Sequence, residues 1–320
     1  MKIRDEVINA EKRIRKYIRE TPLEFSIYLS KKMGANVYLK LENFQITGSF
    51  KIRGALNKVL SLNSRDKKRK LVTASSGNHG IAVAYVLDKL GYKGTVYLPN
   101  YTSPAKIEML RSYNVNLEFH GDDCVETENK AREIAKERDY VYIPPYNDYK
   151  IIGGQGTIAI ELERQLEEID AIFIPVGGGG LISGISGYLK PENSNIKIIG
   201  CQPENSPVMY ESIKAGKIIE MESKPTISDG TAGGIEKSAI TFDICKKYVD
   251  DFVIVEEEEI KEAIKLVLDR HSMLIEGAGA LSVACFLREK EKFINKNVVL
   301  IISGARISLD KIKEIICFKS

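Results

Sequence analysis

Short runs of β-branched and aromatic residues alternate with helix-length segments along most of this chain. Such an alternation predicts βαβ units, in which helices cover both faces of a mainly parallel sheet. The sequence is therefore expected to form an α/β protein. The predicted strands are 36–41, 70–74, 94–98, 116–120, 140–143, 171–176, 197–202, 251–255 and 297–302. The predicted helices include 5–19, 79–90, 104–113, 123–138, 154–166 and 257–271.

The chain has 320 residues, more than one typical domain of roughly 100–200 residues, so two domains are expected. Lysine and arginine total 47 against 44 acidic residues, a balance that argues against a nucleic-acid-binding surface. No apolar run approaches the roughly 20 residues of a membrane span, so no membrane association is expected. Five scattered cysteines without a CxxC pair indicate reduced thiols and a cytoplasmic location. The three histidines lack metal-ligand spacing, which argues against a zinc hydrolase.

Lys51 lies in a Gly-Ser-Phe-Lys turn within the loop 41–55, which follows the first predicted strand. A lysine that acts as a nucleophile needs burial or a cationic neighbour to lower its pKa. Phe50 and Ile52 flank Lys51, in keeping with a sheltered position. Taken alone, Lys51 could also be an ordinary surface lysine.

The segment 73–80, with the sequence TASSGNHG, joins a predicted strand to a predicted helix. Successive small residues at the start of a helix present backbone N–H groups to an anion, and an amino-acid carboxylate would suit this position. Asn78 adds a neutral side chain that can hydrogen-bond a ligand hydroxyl. Taken alone, the segment could also be a simple helix cap.

A third loop, 176–184, contains the consecutive glycines Gly177, Gly178, Gly179 and Gly180 between a strand and a helix. Glycines let the backbone wrap closely around a phosphate, although a tight turn is the alternative interpretation. The loop has neither the dinucleotide fingerprint nor the Lys-Ser/Thr pair of a P-loop, which disfavours a nicotinamide oxidoreductase. A phosphate cradle, an anion site and an imine-forming lysine are together what pyridoxal phosphate and an amino acid require.

Seven motifs, in order, resemble those of fold-type-II pyridoxal-phosphate enzymes, specifically the threonine/serine dehydratase and serine racemase group. They are KLENFQITGSFKIRGA, TASSGNHG, IIGGQGT, PVGGGG, SDGTAGG, EGAGA and SGAR. The resemblance is nearly end to end. It implies a tryptophan synthase β-like fold with two open parallel-sheet α/β domains and the cofactor between them. Residues 1–69 and 148–320 would form the large domain, and 70–147 a smaller mobile one.

The same resemblance implies a role for each motif residue. Lys51 would form the Schiff base with the cofactor, Asn78 would bond the ring hydroxyl, and Ser303 would face the pyridine nitrogen. The cofactor-binding residues would be Phe50, Lys51, Asn78, Gly177, Gly178, Gly179, Gly180 and Ser303. The substrate carboxylate would lie among Ser75, Ser76, Gly77, Asn78 and His79. Lys51 and Ser76 are the candidate catalytic residues. A dimer or tetramer without a C-terminal regulatory domain is expected.

The reaction implied by the resemblance is the elimination of ammonia from a small β-hydroxy amino acid, which yields a 2-oxo acid. Lys51, once freed, would act as general base at the α-carbon. A neutral hydroxyl at Ser303 would not hold the ring nitrogen protonated, which favours prompt loss of a β-leaving group. An amino-acid racemase on the same scaffold is the main alternative. A non-catalytic ligand-binding protein is another, but it would not need an imine-forming lysine.

Some positions depart from the pattern of the family. Ala305 and Arg306 stand where Gly-Asn is frequent, and Gly277 stands where proline is common, so the choice of substrate is open. The metal-activated racemases of the family use two acids, and Gln202 and Val208 occupy the corresponding positions here. Because magnesium and calcium depend on charged oxygen ligands, no bound divalent cation is expected.

Overall fold

The computed structural model describes residues 2–317, which contain ten strands in two sheets. The strands are β1 (Leu23–Phe25), β2 (Asn36–Leu41), β3 (Leu71–Ala74), β4 (Gly94–Leu98), β5 (Asn116–Phe119), β6 (Val141–Tyr142), β7 (Ala171–Pro175), β8 (Lys197–Pro203), β9 (Asp251–Val255) and β10 (Asn297–Ile302). The larger sheet has the order β1-β2-β10-β7-β8-β9, and the smaller has the order β5-β4-β3-β6.

All nine predicted strands are present, and no strand end differs from its prediction by more than one residue. Every strand pair is parallel except that of β1 and β2, which are antiparallel. The sequence analysis missed β1 because it has only three residues, too few for a periodic pattern.

Thirteen α-helices connect and cover the sheets in the described part of the chain. They are α1 (Ile3–Ile14), α2 (Ile27–Met33), α3 (Lys51–Leu60), α4 (Asn78–Leu90), α5 (Pro104–Arg111), α6 (Cys124–Glu137), α7 (Tyr149–Gln165), α8 (Gly180–Leu189), α9 (Val208–Ala215), α10 (Ile240–Tyr248), α11 (Glu257–His271), α12 (Gly277–Glu289) and α13 (Leu309–Cys317). Helix α7 begins five residues before the predicted start at 154, because the Asp148 side chain accepts the N–H groups of Lys150 and Ile151. None of these helices is long and apolar enough to cross a membrane.

Two apolar layers cover the larger sheet, one on each face. Within β7, Phe173 belongs to one buried cluster, whereas its neighbours Ile172 and Ile174 belong to the other. Val299 and Leu300 of β10 divide in the same way. This alternation follows from the two-residue repeat of a strand, and it explains why these strands are apolar at nearly every position.

A buried group of charges supports the beginning of α3. Arg53 contacts the carboxylates of both Glu42 and Glu161 at 2.7 Å. Lys40 reaches Glu161 at 2.6 Å, and all four side chains are fully buried. The burial of four charges is tolerated because each has an opposite partner, and the group joins β2 to α3 and α7.

The carboxyl ends of the parallel strands bring the predicted site together. Ser75 follows β3, Val176 follows β7 and Ser303 follows β10, as expected for ligand-binding loops in parallel sheets. The two sheets agree with the idea of two α/β units, while the exact domain boundaries stay a prediction. Met1 and 318–320, which end the predicted large domain, lie outside the described residues.

Candidate active site

Lys51 is the first residue of α3, and the segment before it is tied to the end of β10. The N–H of Phe50 donates to the Ser303 carbonyl at 3.2 Å, and Ser49 forms an isolated bridge with Gly304. The N–H of Ala305 donates back to Gly48 at 3.0 Å. These contacts bring Lys51 beside Ser303, although 252 residues separate them along the chain.

The Lys51 amine is surrounded by protein, while the residue as a whole keeps some exposed surface. Its Nζ donates to the Pro145 carbonyl at 3.1 Å and lies 5.3 Å from the centre of the Phe50 ring. Burial lowers the pKa of Lys51 to about 8, against the opposing effect of Glu276. A lysine in this state has the reactive neutral amine that an imine-forming residue needs.

The segment 75–79 forms the amino-terminal entry to α4. The Ser75 hydroxyl accepts the N–H of Gly77 at 3.1 Å, while a β-carbon at Gly80 would overlap the Ser75 carbonyl. Within the described chain, no backbone carbonyl accepts the N–H of Ser76 or Asn78. Such unpaired donors at a helix start suit an anion, in agreement with the sequence interpretation.

His79 differs from its predicted neighbours because its side chain is turned into the protein. The ring Nε2 donates to the Ile143 carbonyl at 3.0 Å, and the residue is 3% exposed. Burial, together with the nearby Lys51, lowers the pKa of His79 to about 3, so the ring is neutral at pH 7. Its backbone N–H faces the helix start, but its imidazole is committed to a structural bond.

The glycine loop precedes α8, and its backbone adopts a shape that side chains would prevent. Gly179 has a φ of +85°, in the left-handed region. A β-carbon at Gly178 would overlap the Tyr146 ring, and one at Gly177 would lie 3.0 Å from Thr231. The Thr241 hydroxyl donates to the Gly178 carbonyl at 2.7 Å. Tyr146, Thr231 and Thr241 were missed by the sequence analysis.

The N–H groups of the glycine loop point to a ligand. No backbone carbonyl in the described chain accepts the N–H of Gly177, Gly178 or Gly179. Gly177 and Gly178 also keep some exposed surface, whereas Val176 and Gly179 on either side are buried. Free donors at the positive end of a helix form a phosphate-binding site.

Glu276 is a fourth residue to which the sequence analysis gave no role. It precedes α12 and is 4% exposed. The Asn78 amide nitrogen donates to both of its carboxylate oxygens, at 2.8 and 3.0 Å. The N–H of Arg306 donates to it at 2.9 Å. The only signal in the sequence was its position at the start of the motif EGAGA.

Two departures from the family pattern have local explanations. The Arg306 guanidinium donates twice to the Thr47 carbonyl, at 3.0 and 2.9 Å, and contacts Met109 of α5. Gly277 lies so close to the Ile227 carbonyl that a β-carbon would overlap it. Arg306 therefore joins the loop before Lys51 to the helical layer of the smaller sheet.

Gln202 is held by hydrogen bonds within the protein. Its amide nitrogen donates to the Val176 carbonyl at 3.1 Å, and its amide oxygen accepts the N–H of Tyr210 at 2.8 Å. No group of three or more acidic, histidine or cysteine side chains suited to a metal occurs in residues 2–317. The expectation of a metal-independent protein stays a prediction.

The chemical groups of these three segments suit an aromatic aldehyde that carries a phosphate. The glycine loop offers N–H groups to the phosphate, and Lys51 offers an amine of lowered pKa to the aldehyde. The Asn78 Oδ1 atom is buried and has no partner in the protein, so it can accept from a ring hydroxyl. The model of the pyridoxal-phosphate-dependent enzyme family matches residues 14–304. The chain belongs to this family.

Similar proteins agree with that assignment and with the predicted cofactor, pyridoxal phosphate. An L-threonine ammonia-lyase of Thermotoga maritima is 39% identical over 313 residues, which cover 98% of this chain and 77% of that protein. A catabolic L-threonine dehydratase of Escherichia coli K12 is 37% identical over 98% of this chain and 96% of its own length.

Solved structures of this family have the same fold. The processed form of threonine deaminase isoform 2 from Solanum lycopersicum has a TM-score of 0.93 and 34% identity, over 98% of this chain and 87% of that one. Maize serine racemase has a TM-score of 0.91 and 31% identity, over 97% of this chain and 95% of its own. The predicted fold class and cofactor are thereby confirmed.

Proposed function

We propose that this pyridoxal-phosphate enzyme is an ammonia-lyase that converts L-threonine or L-serine to a 2-oxo acid and ammonia. The observation that carries the proposal is the meeting of three segments that follow strands of both sheets. Lys51 donates to the Pro145 carbonyl, and Gly178 of the glycine loop lies against the ring of the next residue, Tyr146. Asn78 donates to Glu276, whose carboxylate lies beside Gly304 at the end of β10. L-threonine ammonia-lyases and dehydratases that match 98% of this chain at 37–39% identity support the choice of reaction.

In this proposal the cofactor is held by residues from four segments. Lys51 would form the covalent link, Phe50 would pack against the ring, and Ser303 would face the ring nitrogen. Asn78 would bond the ring hydroxyl, and Gly177–Gly180 would bind the phosphate through their N–H groups. Pyridoxal phosphate supplies an electron sink for negative charge that develops at the α-carbon of an amino acid.

The substrate carboxylate is proposed to bind at the start of α4, among Ser75, Ser76, Gly77, Asn78 and His79. There it would receive backbone N–H groups that have no acceptor in the protein. The free Lys51 amine would take the proton from the α-carbon of the bound substrate. Its lowered pKa keeps a useful fraction of the amine neutral near pH 8. The β-hydroxyl would leave as water with the proton that Lys51 has taken, and one water would be consumed when the product hydrolyses to a 2-oxo acid and ammonia.

Ser303 is proposed to favour elimination over other reactions at the α-carbon. It is 2% exposed at the end of β10, and its hydroxyl carries no charge. A carboxylate at this position would stabilise a proton on the ring nitrogen, whereas a neutral hydroxyl does not. The negative charge is then less delocalised, so the β-leaving group departs promptly.

Lys51→Ala is the direct test of the proposal. We expect it to abolish both turnover and the visible absorbance band that borohydride removes, while Lys58→Ala on the same helix keeps both. The assay measures 2-oxo acid formation from a panel of β-hydroxy amino acids of both configurations. Full activity of the Lys51→Ala variant would refute the assignment of the site.

Amino-acid racemisation is a second candidate function, favoured by the likeness to maize serine racemase. A racemase needs a proton donor on the face of the substrate opposite Lys51, and Ser76 is the candidate. Chiral analysis of serine recovered during turnover measures this activity. If racemisation is substantial, Ser76→Ala should reduce it more than it reduces pyruvate formation.

The protein is further proposed to be a cytoplasmic homo-oligomer, either a dimer or a tetramer. Its large domain would consist of 1–69 and 148–320, and its small domain of 70–147. Phe25, which ends the edge strand β1, and Ile27, which begins α2, are 47% and 63% exposed, and this supports a subunit contact. All five cysteines are free thiols, in keeping with a reducing compartment. Light scattering after gel filtration measures the oligomeric state.

A further inference from the structure

The carboxamide of Asn78 has a defined orientation because of Glu276. An ionised carboxylate can only accept hydrogen bonds, so the end of Asn78 that faces Glu276 must be its amide nitrogen. Both carboxylate oxygens accept from this nitrogen, at 2.8 and 3.0 Å. The opposite end, Oδ1, is consequently an acceptor, and it is buried without a partner in the protein.

The pair Asn57 and Glu6 has the same chemistry as Asn78 and Glu276, but its hydrogen bonds are all made within the protein. Asn57 also donates to a buried carboxylate, that of Glu6, at 3.1 Å. Its Oδ1, however, accepts from Arg13, so every polar end of Asn57 has a protein partner. Asn78 lacks a partner only at the end opposite Glu276, which indicates that the missing partner belongs to a ligand.

We propose that Glu276 is a positioning residue that turns the Asn78 Oδ1 toward the cofactor, so that the site selects a ring hydroxyl that donates a proton. The inference rests on the proposed contact between Asn78 and the ring hydroxyl. Gly304 serves the same arrangement, since a β-carbon there would lie 2.5 Å from the Glu276 carboxylate. Glu276 therefore acts on the cofactor through Asn78.

The orientation should depend on pH. The groups that influence the charge of Glu276 are Asn78, Asp229 and Arg306, and Lys51 lies near it. Burial raises the pKa of Glu276 to about 7, against the hydrogen bond from Asn78. Below this pH, a protonated carboxyl can donate to the Oδ1 atom. The amide can then turn its nitrogen toward the cofactor, and the preference for a donating hydroxyl is lost.

The test compares the binding of pyridoxal phosphate with that of 3-deoxypyridoxal phosphate, which lacks the ring hydroxyl. Equilibrium dialysis at pH 8 gives the two affinities for the wild-type chain, Glu276→Gln and the matched control Glu6→Gln. We expect the wild type and the control to prefer pyridoxal phosphate by about tenfold, the effect of one buried hydrogen bond. Glu276→Gln should reduce this preference to about twofold or less, because the new amide can donate to Asn78.

The wild-type chain offers an independent measurement if the variant does not fold. Its preference for the hydroxyl should decline as the pH falls from 8 to 6, and a constant preference would contradict the inference. An undiminished preference in Glu276→Gln would also overturn it, as would an equal loss in Glu6→Gln. If the wild type binds both compounds equally and still turns over its substrate, the inference is refuted but the proposed function is not. Failure to bind either compound instead refutes the proposed site, and the inference with it.

Discussion

Lys51 is predicted to react at a pH where other lysines are protonated. Its pKa is lowered from 10.5 to about 8, mainly by burial. At pH 7 about one Lys51 amine in ten is then neutral, compared with about one in three thousand for an ordinary lysine. The fraction of neutral, reactive amine is therefore roughly 300-fold larger for Lys51 than for an ordinary lysine. This difference arises from the burial of the Lys51 amine.

Competitive acetylation with acetic anhydride measures this difference. The protein is freed of cofactor and labelled between pH 6 and pH 10, and the Lys51 peptide is quantified by mass spectrometry. Exposed lysines in the same digest serve as internal controls. We expect half-maximal labelling of Lys51 near pH 8, and no labelling of Lys51 in the holoenzyme, where the cofactor blocks the amine.

The variant Glu276→Gln tests the direction in which Glu276 shifts the pKa of Lys51. The Glu276 carboxylate stabilises the charged ammonium and so raises the pKa of Lys51. Without that charge, burial acts alone, and the labelling midpoint should move below pH 8. Glu6→Gln should leave the midpoint unchanged. A wild-type midpoint near 10.5, or an upward shift in Glu276→Gln, would refute the assigned balance between burial and charge.

Four other outcomes are expected. Ser303→Asp should increase deuterium exchange at the α-carbon relative to elimination, and an unchanged ratio would count against its position at the ring nitrogen. Gly178→Ala should displace the glycine loop and weaken pyridoxal phosphate binding about tenfold or more, while the binding of pyridoxal, which has no phosphate, should be unaffected. Gly234→Ala is the control, because a β-carbon at Gly234 meets open space. Glu161→Gln should lower the free energy of unfolding by about 3–5 kcal/mol, because it removes a buried charge. The control Glu262→Gln, at an exposed position, should lower it by less than about 1 kcal/mol. Urea unfolding midpoints measure both changes. Turnover should survive chelator treatment, and reactivation by magnesium would contradict metal independence.

Much of this protein could be predicted from local features of the sequence. The apolar runs predicted nine strands because a buried parallel strand is apolar on both faces, as the division of Ile172 and Phe173 between two clusters shows. Acidic residues at 256–259 are typical of a helix start, and Glu256 and Glu259 form a capping box at the beginning of α11. Parallel topology also explains why the segments after β3, β7 and β10 lie at the carboxyl ends of their strands, although β3 belongs to the other sheet.

Other features were decided only by the tertiary structure, because they join residues that are distant along the chain. Asn78 and Glu276 are 198 residues apart, and neither lies in a pattern that would pair them. The shifted pKa values of Lys51 and His79 arise from burial, which depends on what the folded chain packs around each group. The motifs thus predicted which residues carry the chemistry, while long-range packing determined the orientation and charge of these side chains.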